Sequence, residues 1–125
     1  MPHLTLEYSN NLAAPVDFDA LFVKMAEELL AYPPIKMADI KCRAIGYDTF
    51  RIGGGDPRAV FVHLSVDIMV GRTPEQRKAL SQSLLNILRE SFSRVFASQP
   101  CDITVNIREI DRDSYGKLTN QSPKG

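Results

Sequence analysis

Val60-Phe61-Val62-His63-Leu64-Ser65-Val66-Asp67-Ile68-Met69-Val70 is the stretch whose pattern governs the rest of the chain. Val60, Val62, Leu64, Val66, Ile68 and Val70 recur with period two, opposed by Phe61, His63, Ser65 and Asp67. That alternation predicts a strand with one buried face. Immediately downstream stand Gly71-Arg72 and then Thr73-Pro74-Glu75-Gln76. Thr73 and Gln76 have the spacing of a capping box, and Pro74 takes the first helical position, where its missing N–H costs nothing. Leu80, Leu84, Ile87, Leu88 and Val95 carry one helix on to about Phe96.

Working outward, the same grammar appears twice. Upstream, Pro2, Leu4, Leu6 and Tyr8 share one parity and His3, Thr5 and Glu7 the other, so a first strand opens the chain. After the polar turn Ser9-Asn10-Asn11, Asp17 reads as an N-cap, and Phe18, Leu21, Phe22, Met25 and Leu29 fall on one helical face. Tyr32-Pro33-Pro34 ends that helix. Period two returns from Ile40 to about Phe50, with Ile40, Cys42 and Ala44 against Lys41, Arg43, Ile45 and Tyr47. Gly53-Gly54-Gly55-Asp56-Pro57 lacks the frame of a phosphate loop and reads as a flexible hairpin tip. Downstream, Ile103, Val105 and Ile107 alternate through a last strand, roughly Asp102 to Ile110. Residues 111–125 form a polar tail that either crosses to a partner or is loosely held.

Two strand–helix–strand units therefore follow one another, the second displaced by roughly 60 residues. The expected fold is α/β in the broad sense, an α+β sandwich: duplicated β-α-β units forming a four-stranded mixed sheet with two helices on one face. The whole of residues 1–125 reads as a single domain with 111–125 as its tail. The second face of the sheet mixes charges with Phe61, Ile45 and Tyr47, so we expect other subunits to cover it. Ferredoxin-like modules, many of which only bind small molecules or regulate a partner, have the same element order, and the pattern alone leaves both open.

Composition narrows the function. Fifteen basic residues balance fifteen acidic ones, which argues against nucleic acid or a membrane surface as partner. No apolar run reaches the roughly 20 residues of a membrane span, and no signal peptide precedes the first strand. Cys42 and Cys101 lack metal-ligand or redox spacing, as expected of reduced thiols in a cytoplasmic protein. Neither a metal nor a cofactor is expected.

Chemistry concentrates at the start of the chain. An initiator methionine followed by proline is normally trimmed, which would leave Pro2 with a free secondary amine. An α-amino group titrates at about 7.7–8.0; burial or a cationic neighbour lowers that value and leaves part of the amine neutral near pH 7, as a general base requires. Arg72 stands just before a helix N-cap, where free N–H groups and the helix dipole already favour an anion. Its guanidinium can clamp a carboxylate with two parallel bonds, or it is an exposed loop arginine. Lys41 and Arg43 project from the polar face of the second strand, as substrate cations or as ion-pair partners of Glu7 or Asp67. His3 and His63 read as hydrogen-bonded core or interface histidines. An amine base among cations suits moving a proton on a substrate that bears carboxylates.

The opening Met1-Pro2-His3, Glu7, Asp48-Thr49, Phe61-Val62-His63 and Gly71-Arg72, in that order, resemble the tautomerase superfamily, and within it the 5-carboxymethyl-2-hydroxymuconate isomerases, over roughly residues 2 to 110. The resemblance implies Pro2 as catalytic base and Arg72, with Arg43 less directly, as carboxylate-binding groups. It also implies a homotrimer with active sites near subunit boundaries. Lys41 departs from the pattern, standing where arginine is expected and offering a point charge without the fork. The implied reaction is a cofactor-free keto–enol or allylic proton shift on an unsaturated 2-hydroxy di- or tricarboxylate from aromatic-ring degradation. A phenylpyruvate-type tautomerase, needing fewer cations, is the neighbouring alternative.

Overall fold

The computed structural model describes residues 1–122; the last three residues of the 111–125 tail lie outside the described residues. The elements are β1 (His3–Ser9), α1 (Phe18–Leu29), β2 (Lys41–Tyr47), β3 (Val60–Met69), α2 (Pro74–Ser91), α3 (Ser93–Ser98) and β4 (Cys101–Ile110), with short 3₁₀ turns at Met37–Asp39 and Arg112–Ser114.

The strands form one sheet in the order β2-β1-β3-β4. β1 pairs with β2 in parallel, with β3 antiparallel, and β3 pairs with β4 in parallel. Each strand–helix–strand unit thus keeps its two strands adjacent, and the two units meet back to back at β1 and β3. A ferredoxin-like sheet instead splits each unit with another strand, so the topology separates two folds that the element order left open. The mixed four-stranded sheet with its helices on one face is the expected architecture.

Alternation decides which face is buried. Leu4, Leu6, Val60, Val62, Leu64, Val66 and Ile68 are at most 3% exposed and pack against Leu21, Met25 and Leu29 of α1 and Leu80, Leu84 and Leu88 of α2. Full burial of a leucine side chain stabilises by about 1.5–3 kcal/mol, so this seam is the main apolar contribution to the fold. Asp17 caps α1 by accepting from the Ala20 N–H. The capping box of Thr73 and Gln76 is closed in both directions, with Pro74 inside it.

Five expectations need correction. The glycine-rich segment is not a hairpin tip: β2 and β3 lie on opposite sides of β1, so residues 48–59 cross the end of the sheet. β2 stops at Tyr47 rather than Phe50, because β1 ends at Ser9 and the Asn10 N–H closes the ladder on the Tyr47 carbonyl. The second helix breaks at Phe92, a fully buried residue with non-helical backbone, leaving α3 separate. Val70 lies past the strand and is 46% exposed. The tail, finally, is tied to its own chain: Tyr115 Oη lies 3.2 Å from His3 Nε2, and Lys117 pairs with Asp39 at 3.1 Å. No helix among the described residues is long and apolar enough to cross a membrane.

Candidate active site

The antiparallel register that pairs His3 with Asp67 brings the start of β1 against the end of β3. Because β3 and β4 run in parallel and end together, with Met69 opposite Ile110, the exit of β4 arrives at the same rim. Beyond α1, Pro34 and Ile35 close the remaining side. The result is a cleft of about 380 Å³ whose lining includes Met1, Pro2, Asp39, Gly71, Arg72 and Arg112, with apolar residues such as Ile35 and Ile68 between them. Gly71 makes the turn out of β3 with φ of +130°, a backbone region that a side chain would strain.

Pro2 is buried and Arg72 half-buried in the same cleft. With Met1 in place the Pro2 nitrogen is an amide. The Met1 amine lies 3.4 Å from the Asp39 carbonyl. Burial holds its pKa below the ordinary 8.0, and Lys41 lowers it further, against a smaller opposing pull from Asp39. An amine at this end of β1 is therefore biased toward its neutral form.

Arg72 Nη1 and Nη2 donate to the carbonyls of Pro33 (2.8 Å) and Tyr32 (3.0 Å), and the guanidinium carbon stands 6.0 Å from the Tyr32 ring centroid. The arginine thus anchors the segment that follows α1. An exposed, unattached loop arginine is not what the fold builds.

Lys41 and Arg43 are not brought into this cleft. Lys41 Nζ donates to the Asp39 carbonyl at 3.1 Å and borders a second, wider groove of about 990 Å³ with His3, Lys36, Tyr115 and Lys117. The two cavities share Pro34 and Asp39. Arg43 Nη2 lies 2.8 Å from His3 Nδ1. Arginine can only donate, so Nδ1 accepts, the ring proton sits on Nε2, and His3 is neutral; burial first, then the Arg43 charge, lower its pKa. The anticipated ion pairs of Lys41 or Arg43 with Glu7 or Asp67 do not form. Asp67 binds Arg108 through two hydrogen bonds of 2.6 and 3.0 Å, and Glu7 accepts from the Tyr47 hydroxyl. His63 Nδ1 meets the Thr104 hydroxyl at 2.7 Å.

Arg112 escaped the sequence reading because the tail carried no motif. A signal did exist: parallel strands that end together put the residues just after each, Arg72 and Arg112, on one rim. Recognising it required knowing that β4 lies beside β3.

The site and fold can be set beside known proteins. A curated relative from Escherichia coli, 5-carboxymethyl-2-hydroxymuconate Delta-isomerase, is 27% identical over 110 residues, spanning 88% of this chain and 87% of its own. A crystal structure of a 5-carboxymethyl-2-hydroxymuconate isomerase from Deinococcus radiodurans R1 superposes with a TM-score of 0.85 at 32% identity, covering 95% of this chain and 90% of that one. A fused 4-OT wild type symmetric trimer shares the fold at a TM-score of 0.65 and 21% identity, covering 96% and 94%. The family model of 5-carboxymethyl-2-hydroxymuconate isomerase matches residues 2–124. By that match and this fold, the chain belongs to the 5-carboxymethyl-2-hydroxymuconate isomerase family, a family of isomerases.

Proposed function

We propose that the protein catalyses a cofactor-free keto–enol or allylic proton shift on an unsaturated 2-hydroxy di- or tricarboxylate such as 5-carboxymethyl-2-hydroxymuconate, with Pro2 as general base after loss of Met1. The observation that carries this reading is the convergence of Pro2 and Arg72 on one cleft. The neutral imino nitrogen takes the proton of the 2-hydroxyl group. The electron pair moves along the conjugated chain, and the proton is returned to a carbon further on, so the sum is an isomerisation. Arg72 holds a carboxylate and stabilises the developing dienolate oxygen. Lys41, in the adjoining groove, attracts a distal carboxylate; it is also one of the charges that lower the pKa of the Met1 amine. Arg43 lines neither cavity of its own chain, and we assign it to substrate binding across a subunit boundary.

That last role goes with a homotrimer, in which neighbouring copies cover the second face of the sheet; Ile45, on that face, is 42% exposed in the single chain. The trimeric 4-OT relatives support the arrangement. We read residues 1–125 as one domain acting in the cytoplasm in aromatic-compound catabolism.

The test compares Met1-free protein with Pro2→Ala on a 2-hydroxymuconate-type substrate, following the dienol absorbance. A loss in turnover of about 10²-fold or more is expected, the range general bases contribute. Equal rates would remove Pro2 from the mechanism. Substrate choice separates the neighbouring alternative: a phenylpyruvate-type tautomerase would turn over an aromatic monocarboxylate at least as well as a dicarboxylate.

A further inference from the structure

We infer that Arg112, from the tail, is a second carboxylate-binding residue of the Pro2 cleft and sets its preference for dicarboxylates over monocarboxylates. The inference rests on the reading of that cleft as a carboxylate site and extends it to a residue outside the anticipated set.

Three observations carry it. Arg112 lines the cleft together with Pro2 and Arg72. Among the described residues its guanidinium donates one hydrogen bond, a long one of 3.4 Å to the Val70 carbonyl, and enters no ion pair. Most of its five N–H donors are therefore open. Arg72, in contrast, commits both terminal nitrogens to the carbonyls of Tyr32 and Pro33, and Arg77 is engaged with the Arg72 carbonyl and with Glu109. Arg112 is the less committed guanidinium at this rim.

Its backbone is nevertheless placed. Asp111 caps the 3₁₀ turn by accepting from the Asp113 N–H, the Val70 N–H bonds the Ile110 carbonyl, and the Lys117–Asp39 pair fastens the tail further along. A positioned base of attachment with an open guanidinium suits a ligand that brings its own carboxylate. Arg72 then receives the carboxylate beside the reacting carbons, and Arg112 receives the other.

Calorimetry with two unreactive probes, muconate (two carboxylates) and sorbate (one carboxylate on the same diene chain), tests this in full-length protein. Arg112→Ala is expected to weaken muconate about 10- to 100-fold, the equivalent of losing a charge-assisted hydrogen-bond pair, and to leave sorbate within about twofold. Arg112→Lys, which keeps charge but not the fork, should fall between. Absence of muconate binding in the unaltered protein, equal muconate affinity in Arg112→Ala, or an equal loss for both probes would overturn the inference. The proposed reaction fails separately, if Met1-free protein binds muconate but isomerises no 2-hydroxy acid. Circular dichroism of each variant guards against misfolding, and Arg112→Lys supplies the answer should Arg112→Ala not fold.

Discussion

The two ends of the sheet are made from equivalent parts and finished in opposite ways. At one end, the start of β1, the exits of β3 and β4 and the segment after α1 surround the open cleft of Pro2, Arg72 and Arg112. At the other, the start of β3, the exit of β1 and the segment after α3 meet in the same relation. There the space is filled by side chains bonded to backbone. Asn11 Nδ2 donates to the carbonyls of Pro57 and Ala59 at 3.1 and 2.8 Å. Gln99 Nε2 donates to those of Asn11 and Arg58 at 2.9 and 3.1 Å, while its Oε1 accepts from the Ala13 N–H. Arg58 reaches the Ser98 carbonyl. The counterpart of Pro2 is Ala59, a mid-chain residue whose N–H is bonded to the Asp56 carbonyl. Duplication supplied two candidate clefts, and amide side chains closed one of them.

The strongest way to break this contrast is to block the open end. An N-terminal extension that keeps the Pro2 nitrogen as an amide should lower turnover by about 10²- to 10⁴-fold, the share attributable to a general base, with the far-ultraviolet spectrum unchanged. Full activity in a protein shown by intact mass to retain Met1 would end the role of Pro2. Next in size is Arg72→Ala, for which we expect kcat/KM on a dicarboxylate to fall about 10- to 100-fold through lost charge-assisted hydrogen bonds. Unchanged kinetics would leave Arg72 as an anchor for Tyr32 and Pro33 alone.

The closed end gives the reciprocal measurement. Asn11→Ala strips partners from two backbone carbonyls and should cost about 1–3 kcal/mol of stability, visible as a lower Tm, with kcat within about twofold. A collapse of kcat at unchanged Tm would mean that the closed end serves the chemistry. The smallest effect concerns pH. A base must be neutral, so kcat/KM should rise with pH through the amine's pKa and be lost on the acid side. Burial and Lys41 hold the amine at this position below the ordinary 8.0. If the Pro2 amine inherits that environment, Lys41→Ala removes a cation and moves the acid limb to higher pH. A limb that stays in place would detach Lys41 from the base.

What the sequence disclosed and what it withheld follow from the range of the interactions involved. The β3 alternation from Val60 to Ile68, the Asp17 cap and the Thr73–Gln76 box are written within a few residues of where they act, and these are present as expected, while Val70 falls beyond the strand. The side of β1 on which β2 lies depends on a crossing of residues 48–59, which no local pattern encodes. The break at Phe92 is equally tertiary: Phe92 is fully buried, and the helical periodicity on either side gave no warning of it. That Pro2 and Arg72 share one cleft is consistent with their positions at a strand start and a helix cap, which mark them in the sequence. The separation of Lys41 and Arg43 from the cleft follows from their odd parity on β2, which aims them at the second face, and Arg112 is visible only once β4 is placed.

The central position of β1 has a temporal consequence. β1 is an interior strand, and the residues opposite Leu4 and Leu6 on β3, Val66 and Leu64, are made some 60 residues later. Until then β1 lacks its partner on that side, and the two leucines, wholly buried at the end, are without the β3 residues that cover them. Under the proposed mechanism, a Met1 removed before β3 is made leaves from an N-terminus that the cleft does not yet enclose.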